Sequence, residues 1–249
     1  MRIHFEARFN LDKICQLGSS AMAELWTEQE NIELMKKYVY KVDGITACAT
    51  AIGVNILATC YHCIKHCITT GPGLDEIKCH REAVIFLSHV LTGRKIKAKI
   101  LIYSVEKDVA LLETEEDEKL MDQHEIAFKF TVWLGQPYYI LGTPISDDGS
   151  PLQVISGRIS SKLQNTLTTP QMYSLHGHGS ARPGASGGPV FSRNLTDGKP
   201  TLIGIVITGQ DISHETKLET FVSTNYVKII SIWALKYIYL LSEKKEFKI

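Results

Sequence analysis

The chain has 249 residues, 44% of them hydrophobic and 22% charged, with 27 basic and 27 acidic side chains. That composition excludes wholesale disorder, and the balanced charge lacks the basic footprint of a nucleic-acid binder. Six cysteines without a secretory leader predict free thiols in a reducing compartment rather than a disulfide framework.

The first residues, "MRIHFEARFNLDKICQLGSS", are broken by charges, which predicts neither a signal peptide nor a membrane span. Residues 1–37 read as an N-terminal helical extension. In "TEQENIELMKKY", Thr27 is followed by Glu30 in capping-box spacing, and Lys36 and Lys37 stand where the helix dipole favours cations.

From Tyr38 the pattern changes to short runs rich in Val, Ile, Thr and Tyr, bounded by Gly, Asp or charges. These are "YVYKVDG", "TACATAIG", "VNILATC", "EAVIFLSHVL", "RKIKAKILIYSV" and "DVALLET". The acidic "ETEEDEKLMD" from Glu113 reads as a solvated loop. A second set follows: "IAFKFTVW", "PYYILGTP", "LQVISGRISSK", "PVFSR", "TLIGIVITG" and "ETFVSTN". Many short strands and no long helical period predict an all-β fold of two antiparallel six-stranded β-barrels, over 38–120 and 121–223. The sequence holds no internal repeat. Residues 224–249 read as a C-terminal amphipathic helix and tail. Lys228 and Lys236 interrupt "YVKIISIWALKYIYLLS", so it predicts a helix packed on the body, with peripheral membrane contact as the other reading.

The stretch with the most specific chemistry is "RPGASGGPVF", from Arg182. Glycines on both sides of Ser186 let the backbone turn sharply and aim amide N–H groups at a developing oxyanion. A serine nucleophile needs a base, and the base needs an orienting group. Both lie upstream. "ILATCYHCI" puts His62 at the edge of a β-run, and "EKDVALLET" puts Asp108 at the start of another.

These three segments resemble the signature blocks of the chymotrypsin-like (trypsin-fold) serine peptidases, in the same order His, Asp, Ser, with separations of 46 and 78 residues. "YYILGTP…VISGRISS" and "LIGIVITG" also resemble second-barrel strands of its intracellular and HtrA-like branches. The resemblance covers roughly residues 38–235. It implies a serine endopeptidase acting on polypeptides without a cofactor or metal. His62 would be the general base, Asp108 its orienter and Ser186 the nucleophile, with the N–H groups of Gly184 and Ser186 as oxyanion hole. It further implies a primary pocket formed by Ser180 at its base and Ile207, Thr208 and Gly209 along its wall. Without an acidic residue at 180, the expected P1 residues are uncharged, apolar to medium-sized. No "IVGG"-type segment is present, which implies an oxyanion hole formed without zymogen cleavage. The expected location is cytoplasmic, or inside a host cell after delivery.

"TCYHCIKHC" carries three competing readings. The resemblance implies a Cys48–Cys63 disulfide, which a reducing compartment would keep open. A zinc site would need four convergent ligands, but on a helical turn from His62 the pairs 62/66 and 63/67 fall on faces about 100° apart. Buried thiols beside a catalytic histidine are the preferred reading. Cys15 and Cys79 read as structural, and His176 and His178 as exposed loop residues. A non-catalytic binding module on a peptidase scaffold and a zinc-stabilised interaction protein are the competing functions. The intact His62, Asp108 and Ser186 count against the first of them.

Overall fold

The structure is a computed structural model. It describes residues 27–68, 83–115, 119–120, 127–128, 131–143, 152–164, 173–179, 183–194, 198–207 and 226–243. The expected strand "ETFVSTN", Cys15, Cys79 and half of the acidic loop lie outside the described residues.

Helix α1 (Glu28–Lys36) starts at a Thr27 capping box. The Thr27 side chain accepts from the Glu30 N–H, and the Glu30 carboxylate accepts from the Thr27 N–H at 2.7 Å. Two of the orphan donors at the helix start are thus satisfied by sequence-local partners.

The first barrel closes with strands in the order β1 (Val39–Val42), β2 (Cys48–Ala51), β3 (Ile56–Thr59), β6 (Val109–Thr114), β5 (Lys95–Ser104) and β4 (Val84–His89), and β4 pairs back on β1. All its pairings are antiparallel. In β5 the burial alternates, with Ile96, Ala98 and Ile100 inward and Lys95, Lys97 and Lys99 outward, as a half-buried strand requires.

The second barrel repeats this topology. Its strands run β11 (Pro189–Arg193), β8 (Pro137–Gly142), β9 (Gln153–Gln164), β10 (Tyr173–His178), β13 (Tyr226–Ser231) and β12 (Pro200–Ile207), and β12 pairs back on β11. Numbered within each barrel, both rings follow the order 1-2-3-6-5-4. A two-residue strand, β7 (Ala127–Phe128), adds to β12 in parallel, outside the ring.

Both barrels are six-stranded, as expected, but two members of the second differ from the sequence reading. "IAFKFTVW" supplies only β7. His176 and His178 lie on strand β10 rather than in a loop, where His176 Nδ1 contacts the Ser161 hydroxyl at 3.2 Å. Gly177 disguises that strand, and its missing side chain leaves room for the buried ring of Tyr138, whose hydroxyl donates to His178 O. Tyr226–Ser231, expected to be helical, forms β13, and the helix α3 starts only at Ile232 (Ile232–Glu243). The β13 backbone pairs with β10 on one side and β12 on the other. That barrel closure outweighs the helical period of the run.

The terminal helices cross between barrels. Helix α1 precedes the first barrel yet packs on β8 and β12 of the second, and Asn31 Nδ2 donates to Gly198 O at 2.9 Å. Helix α3 follows the second barrel and packs on β12, β13 and also β5 of the first. Ile232, Leu235 and Ile238 enter the core continuous with the first barrel, so the helix's apolar face is occupied by protein. Among the described residues no helix is long and apolar enough to cross a membrane.

Leu111 is fully buried in β6, paired with Ala58 and Ile102. Leu111→Ala removes core volume from the strand that follows Asp108. It should cost about 2–5 kcal/mol, read as a lowered urea midpoint.

Candidate active site

Antiparallel register brings His62 and Asp108 together. β3 and β6 pair with Thr59 opposite Ala110, so the chain leaving β3 and the chain entering β6 meet at one end of the barrel. His62 sits in a single helical turn, α2 (Tyr61–Ile64), which continues as a 3₁₀ turn over Lys65–Cys67. Asp108 immediately precedes β6 and adopts φ +53°, a left-handed conformation that Asp tolerates better than most residues.

Its carboxylate holds the histidine at two points. Oδ2 lies 2.6 Å from His62 Nδ1, and Oδ1 accepts from the His62 backbone N–H at 2.9 Å. The first contact orients the ring and the second fixes the turn that carries it. The imidazole is partly exposed and therefore reachable from solvent. The Asp108 hydrogen bond, aided by Cys63, raises the His62 pKa well above the ordinary imidazole range, against the opposing effect of burial.

Ser186 is 7% exposed in the turns between β10 and β11. Those turns are held by both barrels. From the first, the Cys48 N–H donates to Ser186 O at 2.8 Å, Thr50 Oγ1 to Gly187 O at 2.7 Å and Cys48 Sγ to Gly184 O at 3.3 Å. From the second, the Thr143 N–H donates to Gly184 O and the Val206 N–H to Gly188 O, both at 2.9 Å.

Two glycines make this approach feasible. A Cβ on Gly187 (φ +76°) would stand 1.9 Å from Cys48 O, and one on Gly184 (φ +92°) 2.2 Å from Thr143 O. Both would strike backbone, so no side-chain adjustment could relieve the clash. The peptide planes around the serine are also fixed. Pro183 O accepts from Gln153 Nε2 at 3.4 Å, and Ala185 O from the Gly188 N–H at 2.9 Å. Trans planarity turns the N–H groups of Gly184 and Ser186 to the opposite side of each plane.

The histidine and serine segments meet through Cys60. Its Sγ donates to Val206 O at 3.2 Å, and Val206 O also accepts from the Gly187 N–H at 2.9 Å. Burial pushes the Cys60 thiol well up. Cys63 is pulled down to about 6, chiefly by its hydrogen bond with Cys60 and further by the imidazole, against burial. Cys48, Cys60, Cys63 and Cys67 are all free thiols. Of the four-ligand zinc set weighed from the sequence, only His62 and Cys63 fall in a cluster of metal-ligating atoms, and Cys60 completes it. The sequence reading had not assigned Cys60 to any site. Its spacing from Cys63, one helical turn, was the available signal.

Of the expected pocket residues, Ser180, Thr208 and Gly209 lie outside the described residues. Ile207 ends β12 with its side chain 1% exposed, in the core cluster continuous with the first barrel.

Residues 47–205 match the family model of the trypsin-like peptidase domain. No curated protein sequence matches the chain. Among solved structures, it is similar to the inactive form of Rv3671c from M. tuberculosis H37Rv in a serine-to-alanine mutant, with TM-score 0.57 and 13% identity, covering 92% of this chain and 97% of that one. The active form of the Rv3671c protease from M. tuberculosis gives TM-score 0.57 and 13% identity, over 88% and 86% of the two chains. A serine-to-alanine variant of the HtrA-type protease AlgW, with a decapeptide, gives 0.52 and 18%, over 81% of this chain and 52% of that one. These likenesses concern the fold, and the sequence match over most of the chain carries the family. With two closed six-stranded barrels and the matched segment spanning His62, Asp108 and Ser186, the chain belongs to the trypsin-like peptidase domain family and is a trypsin-fold serine protease.

Proposed function

We propose that the chain is an endopeptidase whose catalytic unit is His62, Asp108 and Ser186, working through an acyl-enzyme. The observation that carries this reading is the two-point grip of Asp108 on His62, at 2.6 Å to the ring and 2.9 Å to the backbone. With Nδ1 held by the carboxylate, Nε2 is the ring nitrogen left to accept the Ser186 proton.

Ser186 Oγ attacks the scissile carbonyl and its proton passes to His62. The carbonyl oxygen becomes an oxyanion, received by the N–H groups of Gly184 and Ser186. The tetrahedral species collapses as His62 returns the proton to the leaving amine, leaving an ester on Ser186. Water then enters, loses a proton to His62, and releases the acid and the free serine. Asp108 keeps its charge throughout and stabilises the imidazolium.

The family resemblance implies a pocket with residue 180 at its base, and an uncharged serine at that position supports uncharged, apolar to medium-sized P1 residues. The free thiols at 48, 60, 63 and 67 accord with action in a reducing compartment such as the cytoplasm.

Wild-type protein should be labelled by a fluorophosphonate probe, and Ser186→Ala should abolish labelling. Turnover of a peptide substrate should then fall on the order of a million-fold. Unchanged labelling in Ser186→Ala would refute the assignment. A peptide-library profile should be depleted in Lys and Arg at P1; a profile dominated by them would overturn the pocket reading. The pH profile follows from His62. The base must be neutral, so kcat/KM rises as pH passes upward through its pKa. Because that pKa is raised, the acid limb should have its midpoint above the ordinary imidazole value of about 6.5.

A further inference from the structure

The donor atoms of Cys60, His62 and Cys63 all lie within 4.8 Å of one another. We propose that these three side chains form a binding site for a soft divalent cation, zinc foremost, whose occupation switches the protease off. The proposal rests on the reading of His62 as the general base.

The donor set is suited to zinc. Two sulfurs and one imidazole nitrogen, with a fourth position open to water, make a tetrahedral site of the three-ligand kind. Thiolate donors also select against magnesium and calcium, which prefer oxygen. Zinc–sulfur and zinc–nitrogen bonds of about 2.3 and 2.0 Å put tetrahedral donors roughly 3.5–3.8 Å apart. The present spacing, at most 4.8 Å, therefore needs a contraction of no more than about an ångström. Side-chain rotation can supply it, because Cys60 and Cys63 are one turn apart on a short helical segment.

Both sulfurs are buried, while the imidazole is partly exposed, so the cation's route in runs past the histidine. On binding, whatever protons the two sulfurs and the ligating ring nitrogen carry leave to solvent, and the charge of the cation is balanced by two thiolates. Val206 O loses the Cys60 donor but keeps the Gly187 N–H, so no buried carbonyl is stranded.

Inhibition follows whichever ring nitrogen binds. Taking Nε2 removes the lone pair that must accept the serine proton. Taking Nδ1 displaces the Asp108 contact and frees the ring from its productive orientation. Either outcome removes the base without touching Ser186. The device would hold the protease silent where the free cation is abundant and release it where chelation removes the metal.

The test uses the full chain, reduced and stripped with a chelator, titrated with Co²⁺. A near-ultraviolet thiolate–cobalt charge-transfer band should grow, saturate at one equivalent and disappear when Zn²⁺ is added. Ser186→Ala should give the same band, so this readout does not depend on the chain being a peptidase. In wild type, Zn²⁺ should block fluorophosphonate labelling over the same concentration range, and chelator should restore it. Cys60→Ser and Cys63→Ser should each raise the Zn²⁺ needed more than about a hundredfold, beyond the upper end for an outer-shell partner. Cys67→Ser, outside the cluster, should change nothing. Absence of the cobalt band in reduced wild type would overturn the proposal while leaving the peptidase reading intact. So would zinc inhibition that survives both cysteine substitutions.

Discussion

The hydrogen bond from the Cys48 N–H to Ser186 O, 2.8 Å long, ties the first barrel to the loop that the second barrel presents. Cys48 begins β2, and β2 pairs with β3, the strand that leads into His62. His62 and Ser186, 124 residues apart in sequence, are therefore separated by one strand pairing and one backbone contact. Gly187 exists to let that contact form, since any side chain there would drive Cys48 O away. Thr59 Oγ1, at the end of β3, donates to Cys48 O at 2.7 Å and braces the same carbonyl.

The repeated barrel topology explains why the chemistry gathers where it does. In each barrel the connection between the third and fourth strands carries one of the candidate residues: His62 after β3, Ser186 after β10. The connection between the fifth and sixth strands of the first barrel carries Asp108. β12 is buried along its whole length because it has neighbours on both faces. Ile203 and Val206 belong to the second core, and Leu202, Ile205 and Ile207 to the core continuous with the first barrel.

The parts legible in the sequence were those fixed by local chemistry. The α1 cap announced itself in Thr27 and Glu30, and the serine loop in glycines that a tight turn demands. The resemblance to known peptidases then placed His62 and Asp108 together. What stayed illegible depends on distant partners. Tyr226–Ser231 has an apolar pattern that fits a helix or a strand, and only the open edges of β10 and β12 decide between them. β10 carries two histidines and a glycine, a weak strand signal, because its inward space belongs to Tyr138. The Cys60–His62–Cys63 cluster was hidden by assuming that the turn starts at His62. It starts one residue earlier, which turns the thiol before it toward the ring.

The crossing of the two terminal helices gives the molecule a latch at each end. A single cut in the connection between Thr114 and Ala127 would sever the covalent bridge between the barrels without freeing them. The amino-terminal fragment would still grip its neighbour through helix α1 and Asn31, and the carboxy-terminal fragment would reach back through Leu235 and Ile238. A chain nicked there would therefore hold together as a two-piece complex.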